Sequence, residues 1–552
     1  MTINTKPIRI GELLKEKGVI TDKHLDIALA QQKITSELLG DTLIKLGFVS
    51  SMGIAEILAE QAGLEFLDIN EYVIPDDTLK LIPRDVAEKS GFIPLSINKD
   101  ILSIGVGNPS NILAVDVVTK LIKKPPRVYI IDGAIIGDVV ERSYFFFENR
   151  IQKQIEDIIA NIKSAGAADG DYVNRLTDLI IMDSIRRHVT DMHINPAEDV
   201  VHVMYRIDGV MQYGYCLPKA VQNGITSMIK ILSQLDIAEQ RLPQDGSFTY
   251  SAFKKTYDMR VSTVPAMYGE NVVIRILSGA TSFLNISTLG FYTPDVKRIK
   301  SLFNKHHGII LIVGPTGSGK TTTLYAALRE VNLLEKNILT VEDPVEYKLP
   351  FVKQTQVNIK AGYDFALAGR SFMRQDPDVM LLGEIRDEET AKIAIRASIT
   401  GHLVLSTLHS NDAVTSIPRL LDFNVDKFML SASLLAVMAQ RLIRKICKFC
   451  KYEYPLSEEE MNIFKEFGFS VHKAFKGKGC GKCNRIGYAG RAVIGEILVV
   501  DDEIRELIYS AASINTVRDA AVKKGMKPFK ADALRKAAEG ITTLEEVLRV
   551  VG

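Results

Sequence analysis

Cysteine is scarce, with five in 552 residues. That excludes a disulfide scaffold. An excess of charge of either sign is also missing: Lys plus Arg number 68 and Asp plus Glu 67, a net +1. A chain that coats nucleic acid or an anionic membrane by bulk charge is thereby excluded, though local basic sites are not. No apolar run approaches the roughly 20 residues a membrane span needs. The opening MTINTKPIRIGELL lacks the charged-then-apolar pattern of a secretory leader. Low-complexity segments are absent too. What remains is ordinary for a globular chain, 46% apolar and 24% charged. At roughly 150 residues per domain, the length predicts three or four domains. The expectation is a cytosolic protein whose work at any membrane runs through a partner.

Two stretches near the N-terminus align. RIGELLKEKGVITDKHLDIALAQQ (residues 9–32) and LLGDTLIKLGFVSSMGIAEILAEQ (residues 38–61) are offset by 29 residues. Each predicts helix, glycine stop, short turn and second helix. Gly18 and Gly47 stand where a helix end wants a left-handed residue. Thr21 and Ser50 suit the next N-cap. On pattern alone this is a helical bundle that docks on a partner, or a ligand site. The 24-residue pattern, met twice, resembles the tandem motifs of the cyclic di-GMP-binding N-terminal domain (MshEN-like) of some secretion and pilus ATPases. The resemblance implies ligand contacts from Arg9, Ile10, Gly11, Leu25, Leu29 and Gln32. In the second copy it implies them from Leu39, Gly40, Ile54, Leu58 and Gln61. Arg and Gln can bond guanine edges or phosphate, leucines offer apolar surface to bases, and glycines let backbone approach. The second copy opens on Leu38 where the first has Arg9.

Residues 62–145 mix short β-like runs with helical stretches and predict a compact α/β continuation of the N-terminal domain, 1–145. FENRIQKQIEDIIANIKSAGAADGD predicts a polar helix with a linker tail, so 146–172 is expected to be a linker. A domain over 173–288 follows, where VVHVMYRIDGVMQYGYCL alternates around the Asp208-Gly209 turn, a hairpin signal. From 289 to 552 a further α/β unit is expected.

The strongest local motif is HHGIILIVGPTGSGKTTTLYAALREV. An apolar run, Ile309 to Val313, predicts a buried parallel strand. Gly314, Pro315, Thr316, Gly317, Ser318, Gly319, Lys320 and Thr321 fit G-x-x-x-x-G-K-[ST], with Thr322 beginning the helix behind. Backbone N–H groups freed by glycine wrap phosphates, and the helix N-terminus adds favourable field. Lys320 would reach the β- and γ-phosphates and Thr321 would ligate Mg²⁺. Two later strands end on carboxylates: ILTVEDPVEY on Glu342 and Asp343, DPDVMLLGEIRD on Glu384. Strand C-termini line the ligand crevice of parallel sheets, where a carboxylate can orient water. A third strand, in TGHLVLSTLHSND, is bracketed by His402 and His409, candidate sensors of a γ-phosphate.

In this order the four segments resemble the signature boxes of the secretion ATPase superfamily, the hexameric motors of type II secretion and type IV pilus assembly. LPQDGSF…MRVSTVPAMYGENVVIRIL extends the resemblance over roughly residues 175–552. It implies a RecA-like P-loop ATPase domain preceded by an α/β, PAS-like, arginine-bearing domain, with the helical α+β domain in front. It implies an Asp-box at Glu342 and Asp343, a catalytic Glu384 in a Walker B with Gly383 where many ATPases carry Asp, and a His-box of His402 and His409. Arg206, Arg241, Arg260 and Arg275 match recurring arginines of the preceding domain. Arg260 and Arg275 are the best candidates for phosphate oxygens. For Arg206 and Arg241 an ordinary surface role stands equally open. Asn195 stands where family members commonly have glutamate.

Cys447-x-x-Cys450 and Cys480-x-x-Cys483 predict one structural, tetrahedral Zn²⁺ site in an insert at about 445–495, rather than two redox pairs. The resemblance agrees, since extension motors carry such an insert followed by a GYxGR segment, here Gly487 to Arg491. Cys216 is left over, and burial is expected for it. The whole implies a Mg²⁺-dependent, hexameric ATPase with ATP held between the arginine-bearing and phosphate-loop domains. It would drive an inner-membrane platform protein, respond to cyclic di-GMP and bind no nucleic acid polymer. The N-terminal motifs favour a pilus-type extension motor. The alternatives are a type II secretion motor without cyclic di-GMP control and a nucleic-acid-dependent P-loop motor.

Overall fold

The structure is a computed structural model that describes residues 9–72, 74–98, 100–165, 170–278, 285–331 and 333–552. The chain divides into two compact units, Met1–Phe283 and Leu284–Gly552. No helix among the described residues is long and apolar enough to cross a membrane.

The first unit opens with the repeat. Helices Ile10–Glu16 and Asp22–Thr35 are followed by Leu39–Lys45 and Ser51–Ala62. Gly18 and Gly47 have φ of 67° and 72°, so both stops are left-handed as expected. The Thr21 and Ser50 hydroxyls accept from the backbone N–H of His24 and Gly53. Leu14, Ala28, Leu43, Ile54 and Ile57 form this bundle's core.

A four-stranded sheet follows, of β1 (Glu65–Phe66), β2 (Phe92–Asn98), β3 (Ile101–Val106) and β4 (Arg127–Ile130), in the order β1-β4-β3-β2. The last part of the unit is a six-stranded antiparallel sheet. It comprises β5 (Asp191–Pro196), β6 (Val200–Ile207), β7 (Val210–Pro218), β8 (Gln244–Ala252), β9 (Lys255–Ala266) and β10 (Gly269–Ser278). Their order is β7-β6-β5-β10-β9-β8.

The stretch expected to be a linker is not a bare one. Helix Ile151–Ala165 buries Ile151, Ile155, Ile158 and Ile162 in the same core as the six-stranded sheet. Their spacing by three and four puts them on one helical face, and that burial ties the helix to the sheet domain. Helix Gly170–Arg186 continues the same core through Leu176, Ile180 and Ile181. Residues 166–169 of the AGAADGD tail, like the opening MTINTKPI, lie outside the described residues. Cys216, expected inside, is exposed.

The second unit is built on seven strands. They are β11 (Gly308–Val313), β12 (Ile338–Glu342), β13 (Val352–Gln356), β14 (Val379–Leu382), β15 (Leu403–Leu408), β16 (Leu434–Ile446) and, after the small β17 (Lys451–Pro455) and β18 (Lys473–Gly477) hairpin, β19 (Tyr488–Val499). Their order is β13-β12-β14-β15-β11-β16-β19. All pairs are parallel except β16 with β19. The strands β11, β12, β14 and β15 are buried at every position, which is why they read as continuous apolar runs.

Candidate functional site

Strand β11 delivers the glycine-rich loop to the C-terminal edge of the sheet. Gly314, Gly317 and Gly319 have φ of 151°, 77° and 87°, conformations that side chains resist. Gly319 caps helix Lys320–Glu330, so the loop's N–H groups gather at a helix N-terminus. Pro315, Thr316, Gly317 and Thr321 are exposed, Ser318 is buried and Thr322 is half-buried. The Lys320 ammonium donates to the carbonyls of Gly314 at 2.8 Å and Pro315 at 3.1 Å. Burial holds its pKa below the usual lysine value, with the Glu384 charge acting the other way. From β16, the fully buried Gln440 donates through Nε2 to the Ser318 carbonyl at 2.7 Å. No motif pointed to Gln440.

The expected carboxylates meet the loop at this edge but do not share one environment. Glu342 is 5% exposed. Its carboxylate accepts from the Tyr325 hydroxyl, from Thr340 Oγ1 at 2.6 Å and from Gln354 Nε2 at 3.2 Å. With its oxygens occupied by these internal donors, Glu342 is braced within the strand end. Asp343 is exposed. Glu384 is paired with the Arg386 guanidinium and lies 3.7 Å from His409 Nε2. That bond to Glu384 raises the Arg386 pKa. Arg386 stands two residues after Glu384 in GEIRD, a signal the motif reading passed over.

His402 does not join the site. It precedes β15, whose first residue pairs with Gly308 at the far end of β11, whereas Leu408 pairs with Val313. At about 3.3 Å per residue, His402 stands roughly 20 Å from the loop edge. Its Nδ1 donates to the Ala397 carbonyl at 2.8 Å, closing the end of helix Glu388–Ile399.

The arginines of the first unit divide as well. One register row crosses its sheet from Arg206 through Asp191 and Arg275 to Arg260. Paired residues share a face, and here it is the face away from the core. Asp191 Oδ1 accepts from Arg275 Nε at 2.8 Å, and its Oδ2 lies 3.7 Å from Arg206 Nε. Burial pushes the Asp191 carboxyl up, but its bonds to Arg275 and Thr190 and the two arginine charges outweigh that and hold it below the usual range. Arg241 lies outside the row, on an exposed turn beside Glu239.

A profile of the Type II/IV secretion system protein family matches residues 166–549. The chain belongs to this family. A second profile, of the MshEN domain, matches residues 62–144. The chain is 37% identical over 561 residues to the type IV pilus assembly ATPase PilB of Myxococcus xanthus, with 98% of each chain covered. It is 44% identical over 400 residues to the type II secretion system protein HxcR of Pseudomonas aeruginosa, covering 72% of this chain and 82% of that one. The X-ray structure of the Legionella pneumophila ATPase DotB shares the fold, with a TM-score of 0.50 at 19% identity, over 68% of this chain and 94% of its own. As a member of this type IV pilus and type II secretion motor family, the chain is an ATPase.

Two further candidate sites lie elsewhere in the chain, a cysteine cluster in the second unit and the repeat in the first. Cys447 and Cys450 follow β16, and Cys480 and Cys483 precede β19. Their four sulfurs lie within 4.8 Å of one another. The contacts Cys447–Cys480, Cys450–Cys483 and Cys480–Cys483 measure 3.9, 3.9 and 3.7 Å. Thiolates about 2.3 Å from a tetrahedral Zn²⁺ stand about 3.8 Å apart, so the cluster fits that ion. Backbone N–H groups of Cys480 and Gly487 point at the Cys483 sulfur, both at 3.2 Å. Such donors favour the thiolate form a metal needs.

In the repeat, the MshEN match lies downstream of the two motifs. Arg9 is exposed at the start of the first helix, Leu29 is 38% and Leu38 73% exposed, and Gln61 is exposed. Ile10, Leu25, Gln32, Leu39 and Leu58 are half-buried, and Ile54 is buried. The glycines stand at close packing contacts within the bundle. A Cβ on Gly11 would meet Leu25 Cδ1 at 2.9 Å and Leu39 Cδ2 at 3.3 Å, and one on Gly40 would meet Ile54 at 3.7 Å. Gln32 Nε2 donates to the Glu37 carbonyl at 2.8 Å.

Proposed function

We propose that this chain works as a homo-hexameric motor for pilus extension, spending ATP to drive an inner-membrane platform protein that adds pilin-like subunits to a fibre. One observation carries the chemistry: the glycine-rich loop, Lys320, Asp343, Glu384 and His409 converge on one edge of a parallel sheet. Such an edge gives phosphates a cradle of N–H donors and gives an attacking water a carboxylate. Lys320 would leave the loop carbonyls for the β- and γ-phosphates. Thr321, with Asp343 through water, would hold Mg²⁺, which neutralises phosphate charge when bound. Glu384 would orient the water, and His409 would report on the phosphate next to it. Arg260, Arg275 and Arg206 would offer planar donors to phosphate oxygens. The four cysteines would hold Zn²⁺ structurally. The N-terminal motifs tilt the reading to pilus extension, since relatives named for pilus assembly and for type II secretion both match over 98% of this chain. Work from the cytoplasmic side of the inner membrane through partners, without a nucleic acid polymer, completes the reading.

Steady-state ATP hydrolysis by the full chain tests it. Glu384→Gln is expected to lower kcat at least ~100-fold while nucleotide still binds. Wild-type turnover in that variant sinks the assignment.

A further inference from the structure

The loop that follows β15 carries His409, and it is fastened at three successive residues to the C-terminal part of the chain. The Asn411 carbonyl accepts from Arg441 Nη2 at 3.4 Å, and the same guanidinium donates through Nη1 to the Val550 carbonyl at 2.6 Å. Asp412 Oδ2 accepts from Arg518 Nη2 at 3.1 Å. The backbone N–H of Ala413 donates to Glu496 Oε1 at 3.1 Å. Arg518 also reaches that carboxylate, with Nη1 3.9 Å from Glu496 Oε1. It stands on helix Ile514–Lys523, whose Val517, Ala520 and Ala521 share a core with Ala413 and Val414.

The pair is not an ordinary surface one. The side chain of Arg518 is 32% exposed, Asp412 21% and Glu496 3%. Asp412 also organises the loop itself, since its Oδ1 accepts from the Thr415 N–H at 2.8 Å. Three residues upstream of this fixed point, the His409 imidazole lies 3.7 Å from Glu384 and is 56% exposed. Little else pins so exposed a ring, so its placement depends on where the loop backbone is held.

We infer that Arg518 is a positioning residue of the ATPase site: by holding Asp412 and the Glu496 anchor together, it sets where His409 stands against Glu384. This rests on the reading of Glu384 and His409 as the hydrolytic end of the site. It makes the helix Ile514–Lys523 part of the catalytic support rather than only a cover for the sheet. Small misplacements of such groups cost rate more than binding.

The test is ATP turnover by the full chain in Arg518→Ala, Arg518→Lys, Asp412→Asn, His409→Ala and the His409→Ala/Arg518→Ala double variant. Arg518→Ala is expected to lower kcat about 10-fold with the KM for ATP within about 2-fold. Lysine at 518 should recover most of the rate. In the His409→Ala background, removing Arg518 should do nothing further, because its effect passes through the histidine. Wild-type kcat in Arg518→Ala overturns the inference. So does a loss of equal size with and without His409, which would mark a fold effect. If Arg518→Ala does not fold, Asp412→Asn takes its place, since it keeps the Thr415 cap and weakens the ion pair, with the same expected pattern. The Glu384→Gln variant separates the two failures: its outcome decides the site and does not depend on Arg518.

Discussion

At Gly383, before Glu384, this ATPase lacks the aspartate that many others carry, and the packing there leaves little room for one. A Cβ there would meet Phe365 Cε1 and the Val341 carbonyl oxygen, each at 3.0 Å, and Glu342 Cα at 3.4 Å. The backbone is already engaged, with Gly383 N–H donating to Val341 O at 2.9 Å and Thr407 Oγ1 donating to the Gly383 carbonyl at 2.8 Å. No side chain fits without moving a neighbouring strand. Gly383→Asp is therefore expected to cost about 1–3 kcal/mol of stability, read as a lower thermal midpoint, and to leave turnover no better than wild type. An unchanged midpoint would show that the strands yield more easily than this packing implies. At this scale the sequence was informative where a residue type answers to backbone geometry. The loop glycines were legible because positive φ admits few alternatives. The separation of His402 from His409 was also written in the sequence, since seven residues of extended strand cover about 23 Å. The burial of Glu342 was not, because Tyr325, Thr340 and Gln354 come to it from three different elements.

Strand β16 is the element that joins the separate features of the second unit. Gln440 on it supports the phosphate loop, and Arg444 binds the buried Glu546 of helix Leu544–Val551 at 2.7 Å. Immediately past its end stands Cys447, while Cys483 stands shortly before its antiparallel partner β19. A zinc ion held by the four cysteines would close the open end of this strand pair. Removing it frees the two ends of the intervening segment, whose middle packs on the main core through Leu456, Phe464 and Ala474. Metal analysis is expected to find about one zinc per chain, and Cys447→Ser with Cys450→Ser to lose it and lower the thermal midpoint by about 5 °C or more. A metal-free wild-type chain with the same midpoint would refute the structural role. The CxxC pairs were legible because ligand spacing is local. The helix Ile151–Ala165 was misjudged because its polar residues masked four isoleucines on one face, and only packing shows what that stripe meets.

Across the whole molecule, the family match covers residues 166–549 and the MshEN match residues 62–144, so the tandem repeat of residues 9–61 falls under neither. Whether it takes a ligand is argued from its own surface. The repeat folds as two successive helix pairs, yet it leaves Leu29, Ile34 and Leu38 exposed at 38%, 86% and 73%. A bundle that existed only to bury its own core would not need apolar groups at these positions in a repeat that also exposes Arg9. Flat guanine bases over leucines, with Arg9 on a phosphate or base edge, would use both. Gly11, packed against Leu25 and Leu39, and Gly40, against Ile54, let the helices close. Arg9 has no arginine counterpart in the second copy, so binding should lean on it unequally. Calorimetric titration of the full chain with cyclic di-GMP is expected to give saturable heat. Arg9→Ala should weaken binding about 10-fold or more, the worth of one charge-assisted hydrogen bond, and Leu38→Arg should strengthen it. No heat with ligand at ~1 mM would leave the repeat as a docking bundle, since affinity weaker than about −4 kcal/mol could not serve as a signal.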